Sequence, residues 1–446
     1  MEKNKESSVL KKFVGNTGWM MFRNIYSMLV SLIVGSLSAR FLGPSNYGLL
    51  TYGNAIIAFF TTVSKLGMDS VVVAELVRRP QKENVLLGTA LTMRFAVSVL
   101  SFFAIWGFVL VFEPDNHLLQ TVTILQATAI IFQSTEVFYF WFQARMEMKY
   151  VTLAAMAALT VTSIWRLALL AGQATVQWFA MSASISALVC GGCIGIIFIK
   201  KAKIQLRYSW ETGKEILRKS YHFIINGLAV TLYMQLDRIM IGKLIDETAV
   251  GLYGAASTLA VMWQFIPINI IDSANPILLK SYDKEKRKFV TQYQMLLMGI
   301  SAMGIVVSIG FTLFAKLIIL ILYGKEYYSA APALSVLIWA TSFSMIGTAR
   351  GTWIIAEGKN KYSKYFTCMG AVMNTVLNII AIPKWGFVGA AVTTLITEMF
   401  VSLMAPLLFK ETREFTFLYF RGFSKIPMFL TQLKMYLKKH GEHRNE

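Results

Sequence analysis

Apolar stretches of about 17 to 25 residues alternate along this chain with short polar breaks. They fall at roughly 17–40, 46–66, 86–112, 117–142, 150–171, 176–199, 219–242, 248–273, 290–313, 331–355, 365–382 and 387–409. Each is long enough to cross a hydrocarbon layer. Each must also be a helix, because in lipid the backbone N–H and C=O groups have to be satisfied within the segment. The ten-residue alternation of a membrane barrel is not seen in the sequence. The pattern predicts an all-α polytopic membrane protein with about 12 transmembrane helices.

Composition and charge add the orientation. The chain is 56% hydrophobic and 15% charged, with a mean hydropathy of +0.55, whereas soluble domains carry about 25% charge. Of the 43 Lys and Arg, 32 lie in alternate breaks and the two tails. Five lie in the other breaks (Arg40, Lys243, Lys316, Lys325, Lys384), and six lie in or at the edge of spans. Positive charge stays on the cytoplasmic side, so both termini are expected in the cytoplasm and the protein in the cell membrane. The net charge of +19 is then topogenic. It calls for anionic membrane lipids rather than nucleic acid. The first 16 residues hold no short apolar core with a cleavage site, so no removable signal peptide is expected.

The longest hydrophilic connector divides the spans six and six. The expected organisation is an N-lobe over 1–199, a cytoplasmic linker over 200–218, a C-lobe over 219–410 and a basic amphipathic cytoplasmic tail over 411–446. A weak repeat supports two lobes: Gly48-Leu49-Leu50-Thr51-Tyr52-Gly53 opens span two and Gly251-Leu252-Tyr253-Gly254 opens span eight. Halves with an even number of spans share orientation, as in transporters built from parallel repeats around a central cavity. Outside loops are too short for an external domain. In 411–437, aromatics mixed with Arg421, Lys425 and Lys434 read as a helix lying in the interface. Pro267 is expected to break span eight, with Gln264 and Asn275 available to satisfy freed backbone groups.

The candidate chemistry is that of a polar path rather than of catalysis. Gly358-Lys359 lacks the remainder of a phosphate-binding loop, and no HExxH or GxSxG occurs. No nucleotide, metal or other cofactor is expected, and the chain is not expected to be an enzyme. Cys190-Gly191-Gly192-Cys193 has no second ligand pair, and Gly191 with Gly195 reads as a small face for close helix packing. Polar residues inside the spans are the positive signal. Arg23, Ser27, Ser31, Gly35 and Ser38 share a face of span one, and Gln126, Gln133, Glu136 and Gln143 are spaced along span four. Asn226, Tyr233 and Asp237 lie on span seven with Arg238 about 100° round, Asn374 and Asn378 on span eleven, and Thr394 and Glu398 on span twelve. A charge at mid-membrane costs about 2.5 to 3.5 kcal/mol, so such residues face a cavity or a partner. Arg23, Arg94, Arg166, Arg238 and Arg350 outnumber Glu136, Asp237 and Glu398. The arginines suit bidentate recognition of phosphate, with Gln133, Tyr233, Asn374 and Asn378 as further substrate contacts. Glu136, Asp237 and Glu398 are the candidates for ion coupling. Lys65, Asp69, Glu75 and Asp272 are expected near the inner surface in a solvated or gating role.

Three motifs carry a resemblance. Ala39-Arg40-Phe41-Leu42-Gly43-Pro44 through Tyr47-Gly48, Asp237-Arg238-Ile239-Met240-Ile241-Gly242, and Asn378 to Pro383 followed by Gly386-Phe387-Val388-Gly389-Ala390-Ala391 and Glu398 occur in that order over about residues 15 to 410. They resemble the polysaccharide and lipid-linked oligosaccharide flippases of the multidrug/oligosaccharidyl-lipid/polysaccharide exporter superfamily. The resemblance implies two six-helix lobes around a central cavity. It also implies transfer of an undecaprenyl-pyrophosphate-linked O-antigen or capsule repeat unit from the inner to the outer leaflet. The partners would be the polyprenyl-linked glycan, membrane lipids, and the polysaccharide polymerase and glycosyltransferases of the same pathway. Twelve spans rather than fourteen count against the cell-wall precursor flippases. A cation-coupled multidrug antiporter would favour an acidic, aromatic cavity, against which the arginine excess weighs. A non-transporting scaffold for biosynthetic enzymes leaves the polar faces unexplained.

Overall fold

The computed structural model describes residues 2–423, with side chains at Trp19 and from Phe22 onward. It is all-helical, with no strand among the described residues. Two compact units divide it. The first comprises residues up to Gly254 with Leu322–Tyr327, and the second comprises Ala255–Ile321 and the residues from Tyr328 onward. Helices α1 (Glu2–Ser64), α2 (Asp69–Arg78), α3 (Glu83–Phe112), α4 (His117–Gln133), α5 (Val137–Ala144), α6 (Met148–Ala171), α7 (Val176–Ala202) and α8 (Trp210–Leu244) belong to the first unit. Helix α9 (Glu247–Met262) carries the chain across the boundary. Helices α10 (Phe265–Lys284), α11 (Lys286–Leu322), α12 (Ala331–Ala356), α13 (Lys361–Met399) and α14 (Arg413–Phe423) follow, α11 ending where Leu322 returns to the first unit. The compact units thus divide inside span eight, and the span-seven helix α8 packs with the first unit.

Among the described residues nine helical stretches are long and apolar enough to cross a membrane. Two of them contain a sharp turn at a glycine. In α1 the turn is at Gly43 (φ 72°, ψ 168°), and in α13 at Gly386 (φ 61°, ψ −151°). A side chain in that conformation would be strained, so glycine is required at both turns. At Gly386 the chain doubles back. Thr393 donates to Asn378, and a Cβ at Gly389 would overlap the Ala381 carbonyl. Fifteen residues of straight helix would hold Asn378 and Thr393 about 22 Å apart.

Span four is broken within its length. The run Ser134–Glu136 forms a 3₁₀ turn between α4 and α5. Ser134 Oγ donates to the Ile131 carbonyl at 2.7 Å and Thr135 Oγ1 to the Phe132 carbonyl at 2.6 Å. Such back-bonding competes with the regular ladder and bends a helix. Helix α7 meets the bend at Gly191, where a Cβ would overlap Thr135 Oγ1, and at Gly195, where a Cβ would lie 3.7 Å from the Phe138 ring. The two glycines therefore provide the close approach expected of them.

The two glycine-rich repeat segments cross each other inside the first unit. A Cβ at Gly48 would overlap the Glu247 carbonyl, and one at Gly251 would overlap the Pro44 carbonyl. The contact is reciprocal. Around it Tyr52 donates to Glu113 at 2.6 Å, Lys243 pairs with Glu113 at 2.8 Å, Asn116 donates to Glu247, and Tyr253 donates to Asp237 at 2.6 Å. At the other end of α3 the connector after α7 is strapped down. The Arg207 N–H donates to the Asn84 carbonyl at 3.1 Å and the Ser209 N–H to Thr89 Oγ1 at 3.0 Å, over Gly88, which has no room for a Cβ. The Ser209 hydroxyl then caps α8. Glu75, buried here, pairs with Lys219 at 2.9 Å and Arg79 at 3.3 Å, so it serves an interhelical network rather than a solvated surface.

In the second unit the core gathers Trp263, Phe289, Tyr293, Trp353, Phe366 and Phe415. The break in span eight falls between Met262 and Phe265 and not at Pro267 itself. Pro267 sits in the first turn of α10, where its missing N–H leaves no hydrogen bond unmade. Asn275 accepts from Thr352 of α12 instead of meeting freed backbone groups. Helix α14 buries Phe415, Leu418 and Tyr419 against the core, with Gln294 donating to the Leu418 carbonyl at 2.9 Å. That part of the tail is docked on protein. The rest of the expected interfacial helix, beyond 423, lies outside the described residues.

Candidate functional site

The break in span four organises a polar interior in the first unit. Two cavities meet at Gln133. One, of about 320 Å³, lies between the break and α7 and is lined by Gln133, Thr135, Glu136, Tyr139, Ser186 and Cys190 among others. The second, of about 380 Å³, lies between the span-two half of α1 and α8, lined by Asn54, Thr61, Thr62, Gln133, Thr231 and Gln235 with Ile57, Val230 and Met234. A Thr62–Thr231 hydroxyl contact of 2.7 Å ties its walls. In membrane proteins such an interhelical bond contributes about 0.6 kcal/mol, enough to orient but not to lock. Gln133 Oε1 is buried without a hydrogen-bond partner, although its amide borders both cavities.

Three expected arginines attach to these walls. Arg94 is almost fully buried on α3, with Nη2 at 3.2 Å from Glu136 Oε2, Nη1 at 3.8 Å from Asp69 and the guanidinium 5.8 Å from the Phe140 ring. Its Nε and Nη1 have no hydrogen-bond acceptor, so the fork is only partly used. Arg238 donates to Gln235 in the second cavity wall at 2.7 Å. Arg23 lies within electrostatic reach of Tyr139 and Cys190 in the first. Tyr139 and Cys190 themselves are 2.7 Å apart. Asp237, buried beside Arg238, accepts from Tyr253, and Tyr233 is half-buried two residues before Gln235. Arg166 is separate from both cavities: it lies on α6 within reach of Tyr47, which packs against Tyr323 and Tyr327 near the Gly43 turn.

The remaining expected residues form a different cluster, in the second unit. Arg350 is buried on α12 and donates through Nη1 to the carbonyls of Val401 and Ser402, the latter at 3.2 Å. These carbonyls belong to a π-helical turn, Phe400–Met404, whose wider winding releases acceptors from the regular ladder. The guanidinium stacks 4.3 Å over Phe366 and 6.0 Å from Phe415. Glu398 is within its electrostatic reach. Asn374 accepts from Asn378 at 3.0 Å, and Asn378 accepts from Thr393, closing the α13 hairpin. The amides of both asparagines are thereby engaged inside the fold.

Asn54, Thr61, Thr62, Thr135, Tyr139 and Gln235 were not expected at the site. Asn54, Thr61 and Thr62 recur at seven- and eight-residue spacing on an apolar span, which is the signal that could have shown them. Thr135 and Tyr139 become cavity walls through the 3₁₀ break, which hydropathy does not reveal.

A bundle of membrane-crossing helices with a polar, cation-fringed interior defines a multi-pass membrane protein with a transporter fold. Residues 13–281 match the polysaccharide biosynthesis protein family, and the chain belongs to that family. It is 23% identical over 399 residues to the capsular polysaccharide biosynthesis protein CapF of Staphylococcus aureus, covering 88% of this chain and 98% of CapF. Its fold is similar to that of the lipid II flippase MurJ in an inward closed conformation (TM-score 0.68, 15% identity, 94% of this chain and 93% of MurJ). It is similar also to an inward-facing multidrug resistance transporter of the same superfamily (TM-score 0.65, 14% identity, 91% and 96%). The resemblance read from the motifs to the polysaccharide flippases of that superfamily is borne out.

Proposed function

We propose that this protein moves an undecaprenyl-pyrophosphate-linked oligosaccharide repeat unit from the inner to the outer leaflet of the cell membrane by alternating access. It does so without covalent chemistry of its own. The observation that carries the reading is the pair of cavities joined at Gln133, with Arg94, Arg23 and Arg238 on their borders, in a chain of the polysaccharide biosynthesis protein family. Guanidinium groups suit the pyrophosphate. The amide and hydroxyl groups of Gln133, Asn54, Thr61 and Gln235 suit a sugar. Arg166, Arg350, Tyr233, Asn374 and Asn378 would act at other stages of the path or in holding its walls. Glu136, Asp237 and Glu398 are the proposed ion-coupling groups.

The two-lobe organisation is proposed with it: an N-lobe over 1–199 and a C-lobe over 219–410, joined by 200–218 and related by an axis along the membrane normal. The reciprocal Gly48–Gly251 crossing supports that axis. Both termini are proposed to be cytoplasmic, with the polymerase and glycosyltransferases as partners at the membrane. Capture of organic cations fits less well, because Arg94 already neutralises Glu136 at the cavity wall.

The test is reconstitution of the full-length protein with a fluorescent polyprenyl-pyrophosphate glycan, scored by access of an external glycosidase. Wild type should expose the glycan with time, and Arg94→Ala and Arg238→Ala should lose most of that rate while remaining folded. Unchanged rates in both variants would defeat the substrate assignment. Orientation is checked separately: cysteines at Asp115 and Thr175 should label from outside intact cells, and one at Lys286 should not.

A further inference from the structure

The second unit holds a cleft that plays no part in the transport reading. Helices α10 and α11 meet at Glu285, whose extended backbone (φ −155°, ψ 101°) ends α10 and starts a hairpin. The hairpin brings Lys280, Lys284 and Lys288 to the lining of one cavity of about 630 Å³, with Ile277 on its apolar side. Glu285 is the single carboxylate in the lining. Among the described residues none of the three lysines is held in an ion pair, whereas Lys286, one residue from Glu285, pairs with Glu357 at 2.9 Å. Three ammonium groups gathered in one concavity repel each other unless an anion sits between them. The lining is amphipathic, since Ile277 is 61% exposed and Pro276 is exposed beside it. The segment 280–288 carries five Lys and Arg, the excess that marks the cytoplasmic face.

We propose that this cleft binds the phosphate of an anionic phospholipid of the inner leaflet, with the three lysines around the headgroup and the Ile277 side against the start of the acyl chains. A free phosphate would use the lysines alone and leave the apolar wall wet. Clusters of basic residues at the cytoplasmic surface hold anionic headgroups at about fivefold in affinity for each Lys. Removing all three should therefore weaken binding on the order of a hundredfold.

The experiment uses the purified full-length protein in neutral detergent at fixed, moderate ionic strength. Phosphatidylglycerol, phosphatidylcholine and inorganic phosphate are added in parallel, and bound lipid is counted by native mass spectrometry. Wild type should retain phosphatidylglycerol over phosphatidylcholine. Lys280→Gln/Lys284→Gln/Lys288→Gln should lose that preference. A control with equal charge removed elsewhere, Lys200→Gln/Lys201→Gln/Lys203→Gln, should keep it. Retention by the first triple variant, or equal loss in the control, overturns the site. Displacement of phosphatidylglycerol by inorganic phosphate at equal concentration overturns the lipid assignment. Since all three lysines are exposed, the variants should fold, and the count of bound lipid does not depend on whether the protein transports a glycan.

Discussion

Arg94 and Arg350 look alike in the sequence, single arginines in apolar spans, yet the two units use them in opposite ways. Arg350 spends its Nη1 on two backbone carbonyls and its faces on Phe366 and Phe415. Its Nε alone is left buried without an acceptor. Arg94 meets two carboxylates at 3.2 and 3.8 Å, one of them on a cavity wall, and keeps Nε and Nη1 without a hydrogen-bond acceptor. The difference teaches that a buried charge in a membrane span marks function when its terminal nitrogens meet a cavity wall and not main-chain oxygens. A buried arginine consumed by main-chain oxygens is a staple.

The largest effect should come from breaking the staple. Arg350→Ala leaves two carbonyls of the π-turn buried without a donor and removes the cation–π contacts. It should cost about 3 kcal/mol or more, seen as a lowered melting temperature in detergent and reduced protein in the membrane. Gly191→Val comes next, because the added side chain collides with Thr135 at the bend of span four. It should destabilise by about 1 to 3 kcal/mol, and Thr135→Ala should restore part of the melting temperature. If it does not, the close crossing is not what the glycine provides. Arg94→Ala should be the mildest of the three in stability, at about 1 kcal/mol, because the Glu136 side chain it abandons is 31% exposed. Transport should nonetheless fall by an order of magnitude or more. Equal melting temperatures for Arg350→Ala and Arg94→Ala would erase the contrast.

The smallest effect is a pH response confined to the second unit. Burial pushes the Glu357 carboxyl up, but Lys286 and Lys359 outweigh it and hold the group below the usual carboxylate range. A depressed carboxylate contributes stability above its unfolded value and loses it as the pH falls through the folded one. Wild type should therefore lose slightly more melting temperature between neutral pH and the acid side of the carboxylate range than Glu357→Gln does. Lys286 is mostly exposed, so the difference should be small.

Much of the fold was legible because lipid leaves the chain few options. Span ends, the turns at Gly43 and Gly386 and the close packing at Gly191 all follow from hydropathy and from glycine chemistry. The fates of the arginines were not legible. Nothing in Phe400–Met404 announces a π-turn that would claim Arg350, and the Ser134–Glu136 break depends on where α7 meets the bend. Glu136 was visible as a polar residue on span four, while its pairing with Arg94 on another helix is a tertiary fact that periodicity along one span cannot contain. The docking of Phe415 and Tyr419 was hidden for a related reason. Aromatics mixed with cations suit a lipid interface and a protein core almost equally well.

The reciprocal crossing of Gly48 and Gly251 has a mechanical consequence. Helices usually mesh, with ridges of side chains seated in the grooves of a neighbour, and turning one against the other means lifting teeth out of their notches. Here each helix offers the other bare main chain, so the point of contact itself has no teeth. It is a bearing of main chain on main chain, flanked one turn on by Thr51 against Gly254, and a methyl group at either glycine would be grit in it.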